Sequence, residues 1–151
     1  MGPLILAVDA LRALDGAEVH ARRRSVEPAC VWPVDLLAAI LEDRAAGAGG
    51  MLQAMGVEVD TLLWTLLRKE NRGSGPPPRA VRLGSDTQRA IVLAGEEARA
   101  AGAATIGASH LLLGLLREGQ SAAAQGMEDV GIDLGRARRA VRQPRTRGGA
   151  L

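Results

Sequence analysis

Few side chains in this sequence could carry out chemistry, and their spacing argues against most of it. Ser109 and His110 are an adjacent nucleophile and base. Neighbours on a helix diverge by about 100°, so the imidazole cannot reach the hydroxyl proton beside it. Nothing around Ser109 resembles a nucleophile elbow, and His110 is expected to be a structural residue at a helix start. His20 lies among arginines, without a partner at ligand spacing. Cys30 is the only thiol and the two histidines are far apart, so no metal set is expected. A lone Cys also excludes an intramolecular disulfide, fits a reducing compartment, and reads as inert. The single lysine, Lys69, sits in Leu67-Arg68-Lys69-Glu70, with no glycine loop to cradle a phosphate. The expectation is a protein without catalysis, metal or cofactor.

What remains could bind. Trp32 and Trp64 are the only aromatic residues. Trp64 reads as a core filler, and Met51, Met55 and Met127 as gap-fillers at helical spacing. Trp32, followed by Pro33 and a helix, fits either packing or a groove anchor, because Trp is enriched at interaction hot spots. Arg22-Arg23-Arg24 closes a helix, where cations suit the dipole. From Asp133 onward six arginines face that one acid, leaving +5 there and −3 on the rest of a +2 chain. Such a segment could touch nucleic acid or form a solvated face and a loose end. Without basic stripes or recognition motifs, nucleic acid is the least supported partner.

The elements that must position these residues are written twice. Asp35-Leu36-Leu37-Ala38-Ala39-Ile40-Leu41 returns about 75 positions later as His110-Leu111-Leu112-Leu113-Gly114-Leu115-Leu116. Gly56-Val57-Glu58-Val59 becomes Gly131-Ile132-Asp133-Leu134 at the same interval. Upstream, Asp9-x-x-Arg12-Ala13 reappears as Asp86-x-x-Arg89-Ala90, now 77 positions on, so the first copy holds two extra residues. A repeat of this kind fixes the architecture.

Periodicity gives each copy four short helices. In the second, Ser85-Asp86-Thr87-Gln88 reads as a capping box opening a helix that runs through Ala101, with Gly102 as its stop. A second helix follows Gly107-Ala108-Ser109 and buries Leu111, Leu112, Leu115 and Leu116. A third spans about Ala122 to Val130, and Asp133 caps a fourth. The first copy gives Asp9 to Arg23, Val34 to Arg44, Gly50 to Met55 and Val59 to Lys69. No alternating run argues for a strand. The expected organisation is a divergent first repeat over 1–70, a Gly/Pro-rich linker over 71–82, a second repeat over 83–143 and a basic tail over 144–151. The fold class is all-α: two tandem four-helix repeats with pseudo-twofold symmetry, packed as one compact module.

With 151 residues and 47% apolar content the chain can bury one core, or two small ones sharing an interface, built from Leu, Ile, Val, Met and Ala. The first residues lack a signal peptide's basic flank, and no apolar run approaches a membrane span. A cytoplasmic protein without a membrane partner is expected.

Thr105-Ile106-Gly107-Ala108-Ser109-His110-Leu111-Leu112-Leu113-Gly114-Leu115-Leu116-Arg117-Glu118-Gly119 resembles the repeat of the Clp unfoldase N-terminal domain. Glu96-Glu97-Ala98-Arg99 and Val130-Gly131-Ile132-Asp133-Leu134 fit the same pattern. The resemblance is strong over residues 83 to 143 and weak over 6 to 69. It implies a double-repeat helical module, ClpC-type, that selects substrates or docks adaptors for a Clp ATPase. No nucleotide-binding loop is present, so a stand-alone N-domain is expected, acting as adaptor or decoy on Clp components, client proteins, peptides or small ligands. Two alternatives are an accessory subunit docking on the ATPase or protease ring, and a basic-tailed nucleic-acid regulator.

The resemblance also marks positions. Some ClpC-type N-domains bind phosphoarginine through a Glu in each copy's Thr-Glu-His motif; the matching positions here are Val34 and Ser109, which cannot pair with a guanidinium. Asp35 and His110 match the motif's His, and Leu6 and Leu83 match the Phe that opens each repeat. Leu6, Val34, Asp35, Leu83, Ser109 and His110 are therefore the ligand-site candidates, with Trp32 as a possible interface aromatic. Phosphoarginine binding is not carried over.

Overall fold

The computed structural model describes residues 5–24, 30–43, 47–68 and 82–142. The basic tail and nearly all of the expected linker lie outside the described residues, as does the Trp64 side chain.

Among the described residues eight helices form two series of four. The first holds α1 (Val8–Arg24), α2 (Pro33–Glu42), α3 (Gly47–Ala54) and α4 (Val59–Arg68). The second holds α5 (Ser85–Ala100), α6 (Ala108–Glu118), α7 (Ala122–Asp129) and α8 (Leu134–Arg142). Their ends obey the local chemistry of the sequence. Gly56 and Gly131 stand at φ +82° and +83°, a region open to glycine at little cost. Each turns the chain so that the next N–H, of Val57 or Ile132, reaches back to Leu52 O or Met127 O at 3.0 and 2.9 Å. Asp133 Oδ1 accepts from Arg136 N at 2.7 Å and starts α8.

One expected cap is corrected. α5 is N-capped by Gly84 and begins at Ser85, whose side chain makes no capping bond. Gln88, the expected partner of the box, turns its amide to Leu83 O at 2.9 Å instead. Leu83 is already in an extended pair, which pulls the helix start one residue earlier.

That pair is also a feature no periodicity announced. Among the described residues four two-residue strands form two parallel ladders: β1 (Ile5–Leu6) with β4 (Thr105–Ile106), and β2 (Cys30–Val31) with β3 (Arg82–Leu83). Two residues are too short to alternate. The pairing crosses between repeats, because the strand leading into each first helix lies beside the strand leading into the other repeat's second helix. Ala7 N donates to Ile106 O at 2.9 Å, and its repeat equivalent Gly84 N donates to Val31 O at 3.0 Å.

The core follows from composition. α2 and α6 are buried almost all round, from Asp35 to Leu41 and from His110 to Leu116. Against them lie alanine stripes at helical spacing, Ala10, Ala13, Ala17 and Ala21 on α1 and Ala90, Ala94 and Ala98 on α5, all essentially without solvent contact. Small side chains let the axes approach closely. Met127 is fully buried, Met51 buried, and Met55 packs on the core's edge.

Candidate functional site

The repeat creates two equivalent places where a helix leaves a strand pair and faces the start of the other repeat's first helix. Their local chemistry differs. At the α6 locus, His110 sits three residues past the N-cap Gly107 and its Nδ1 accepts the Gly107 N–H at 3.0 Å. The accepting nitrogen carries no proton, so the ring is neutral with its hydrogen on Nε2. Burial pushes the His110 pKa below its usual range, against smaller opposing pulls from Asp9 and Glu97. Asp9 reaches across from α1, its Oδ1 accepting from Ala108 N at 3.2 Å. A carboxylate of this chain thus sits on the α6 N-terminus.

At the α2 locus, fully buried Asp35 does the work of His110, Oδ2 accepting from Trp32 N at 2.8 Å. The first helical residue is Pro33, which has no N–H. The bond that holds Asp9 therefore has no counterpart here, and Asp86, the repeat equivalent of Asp9, lines an open cleft of about 420 Å³. Cys30, Trp32, Pro33 and Val34 form one wall; Gly84 and Ser85 stand beside Asp86 on the other. Ser121 and Ala122, at the start of α7, close the end. Trp32 is 48% exposed. A Cβ on Gly84 would lie 3.1 Å from Val31 O and 3.5 Å from Trp32 Cδ1, so the backbones can approach only because Gly84 has none.

Three helix N-termini point at this cleft, and each already has a carboxylate. Asp35 serves α2 and Asp86 stands in the first turn of α5. Buried Glu118 accepts from Gln120 N and Ser121 N, both at 3.2 Å, ahead of α7. No Lys, Arg or His is among the described lining residues. The helix dipoles are compensated, and among the described lining residues the exposed charge is the Asp86 carboxylate.

The sequence-derived candidates divide between the loci. Val34 lines the cleft, with Asp35 beneath it, and Leu83 is extended beside Val31 at its edge. Leu6 is extended beside Ile106, with Ser109 and His110 at the α6 start. Asp86, Ser85 and the start of α7 were not singled out. The repeat of Asp9 at Asp86 was the visible signal.

His20 meets a residue of another helix. It is buried and bonds through Nε2 to Glu42 Oε1 on α2. The repeat equivalents are Glu97 and Arg117, whose Oε2 and NH1 are 3.3 Å apart, the same cross-helix pairing with the acidic residue now on the first helix. Glu97 also takes a two-pronged contact from Arg138, Nε to Oε1 at 2.8 Å and NH2 to Oε2 at 2.9 Å. The hydrogen bond from Arg138 outweighs burial and holds the Glu97 carboxyl below its ordinary range. Arg138, and Arg136 with its bonds to Gly131 O and Met55 O, are thus anchored and not a free basic face. Among the described residues no three metal-ligating side chains gather, and no helix is long and apolar enough to cross a membrane.

Residues 82–149 match the family model described as the Clp repeat (R) N-terminal domain. The chain belongs to the Clp repeat N-terminal domain family. The ClpA homologue of Guillardia theta, an ATP-dependent Clp protease ATP-binding subunit, is 33% identical over 132 residues, 87% of this chain and 16% of that protein. Chloroplastic ClpC of Pisum sativum is 33% identical over 124 residues, 82% of this chain and 13% of its own length. The Clp repeat chain therefore spans about one-seventh of these relatives. In fold it is similar to the Hsp104 N-terminal domain from Candida albicans, with TM-score 0.73, 15% identity and coverage of 90% and 88% of the two chains. The ClpD N-terminal domain from Arabidopsis thaliana gives TM-score 0.65 at 17% identity, covering 89% and 90%.

Proposed function

We propose that this Clp repeat chain is a binding module of the Clp protease system, taking client peptides, adaptors or small ligands in the cleft between α2 and α5, and acting as adaptor or decoy. The observation that carries this reading is the asymmetry of the two repeat-related loci. One is filled by Asp9; the other is an open cleft with a half-exposed Trp at its lip. An indole so placed offers a large contact area at little entropic cost. No catalytic step is assigned to it. The absence of a carboxylate side chain at Val34 and Ser109 favours ligands other than phosphoarginine.

The test is a reconstituted Clp degradation assay with added chain. An adaptor raises client turnover and a decoy lowers it, and Trp32→Ala should weaken either effect. No change in turnover, together with no client peptide bound, would reject the reading.

A specific surface supports docking on the ATPase or protease ring as a second reading. α1 exposes Val8 (69%) and Leu11 (48%), where the repeat equivalents are Ser85 and Gln88. Since the same fold is built with polar residues there, the apolar pair is not required by packing. Trp32→Ala would leave ring binding intact, whereas Leu11→Ser would weaken it.

A further inference from the structure

The duplicated fold acts as its own control, and it isolates what is peculiar to the α2–α5 cleft. At the α6 locus the first helical residue is Ala108, and its N–H holds the Asp9 carboxylate at 3.2 Å. At the α2 locus the corresponding residue is Pro33, which has no hydrogen to donate. Asp86, equivalent to Asp9, is exposed and faces the cleft. The half-exposed Trp32 ring lines the same cleft. The described lining contains no basic residue to neutralise Asp86, and the α2 and α7 N-termini are compensated by Asp35 and Glu118. Among the described lining residues an anion would meet a carboxylate and no cation. A cation would meet a counter-ion and an aromatic face together.

We infer that the cleft binds one unmodified basic side chain, arginine or lysine, of a client peptide, with Asp86 as counter-ion and the Trp32 ring as stacking face. The inference rests on reading this cleft as the peptide site and adds the chemical class of what enters it. Arginine suits the pair better than lysine, because a planar guanidinium can stack on an indole while its edge meets a carboxylate. Of the two repeat-related loci only the α2 one is open among the described residues, so the expected stoichiometry is one basic side chain per chain. The apolar walls at Pro33 and Val34 would cover the methylene stem.

The experiment is an NMR titration of the whole chain with capped Ala-Ala-Arg-Ala-Ala and with the same peptide carrying lysine, citrulline or phosphoarginine at its centre. The expected result is saturable shifts at the Trp32 indole N–H and the Asp86 amide for arginine, weaker for lysine and lost for citrulline. The Gly107 and Ser109 amides should stay in place. Asp86→Asn and Trp32→Ala should each weaken binding about three- to fivefold, the strength of exposed ion-pair and cation–aromatic contacts. Equal binding of arginine and citrulline peptides, tighter binding of the phosphorylated one, or indifference to Asp86→Asn would overturn the inference while leaving the cleft a peptide site. Failure of all four peptides to bind would remove both.

Discussion

His110 and Asp35 show one backbone need met by two chemistries. Each residue accepts the N–H three positions before it and so fixes where a buried helix begins. His110 does so only while neutral, and its pKa lies below the ordinary 6.5 because of burial. The unfolded chain therefore takes up that proton first. The stabilisation is complete above about pH 6.5 and is lost as pH falls towards the lower folded value. Urea unfolding between pH 4 and pH 8 should show this loss, and His110→Asn, which can still accept the bond, should flatten it. A second loss, from Glu97 held low by Arg138, should persist in that variant below about pH 4.5. An identical pH profile in the variant would mean that His110 is not the group responsible. None of this pairing was legible in sequence for His20, whose partner lies 22 residues away on another helix. Local spacing reveals caps, whereas contacts between helices depend on how the axes cross.

At the scale of the element, the crossing of the first two helices in each repeat makes room with one glycine, and the two repeats place it on opposite partners. A Cβ on Gly114 of α6 would lie 2.1 Å from Ala90 O and 3.0 Å from Ala94 Cβ. In the first repeat that position is Ala39, and Gly16 on α1 gives way instead, its Cβ falling 3.0 Å from Ala39 Cβ. Gly114→Ala meets backbone and should cost about 3 kcal/mol or more in urea unfolding. Gly16→Ala meets only a methyl group and regains helix propensity, so its change should stay within about 1 kcal/mol. Equal effects would show that the α5–α6 crossing can slide. The helices themselves were readable, since the leucine stripes of α2 and α6 and the stops at Gly56, Gly102 and Gly131 are local signals. The strands were not. Cys30–Val31 and Arg82–Leu83 gain extended backbone from a partner some 50 residues distant. Within the cleft, Trp32 and Val34 could be named from spacing and resemblance, but Asp86 became a candidate only when Pro33 was seen to leave it unbonded.

For the whole molecule, the crossed ladders decide how independent the repeats are. Neither series of four helices contains a pairing partner for its own first strand, because β1 needs β4 and β3 needs β2. Residues 82–151 alone would therefore leave β3 and β4 unpaired, while a second copy of the same segment offers both in the required geometry. Sedimentation of that fragment should give a dimer, with helicity rising on association. A folded monomer would show that the ladders are dispensable.

The pseudo-twofold axis is, in effect, a subunit boundary internalised by the chain. Two identical halves obey their symmetry, so every gain or loss on one face is copied onto the other. Once both halves lie in one polypeptide that obligation ends. Proline can stand at one helix start and alanine at the other, and one half can stay sealed while the other opens.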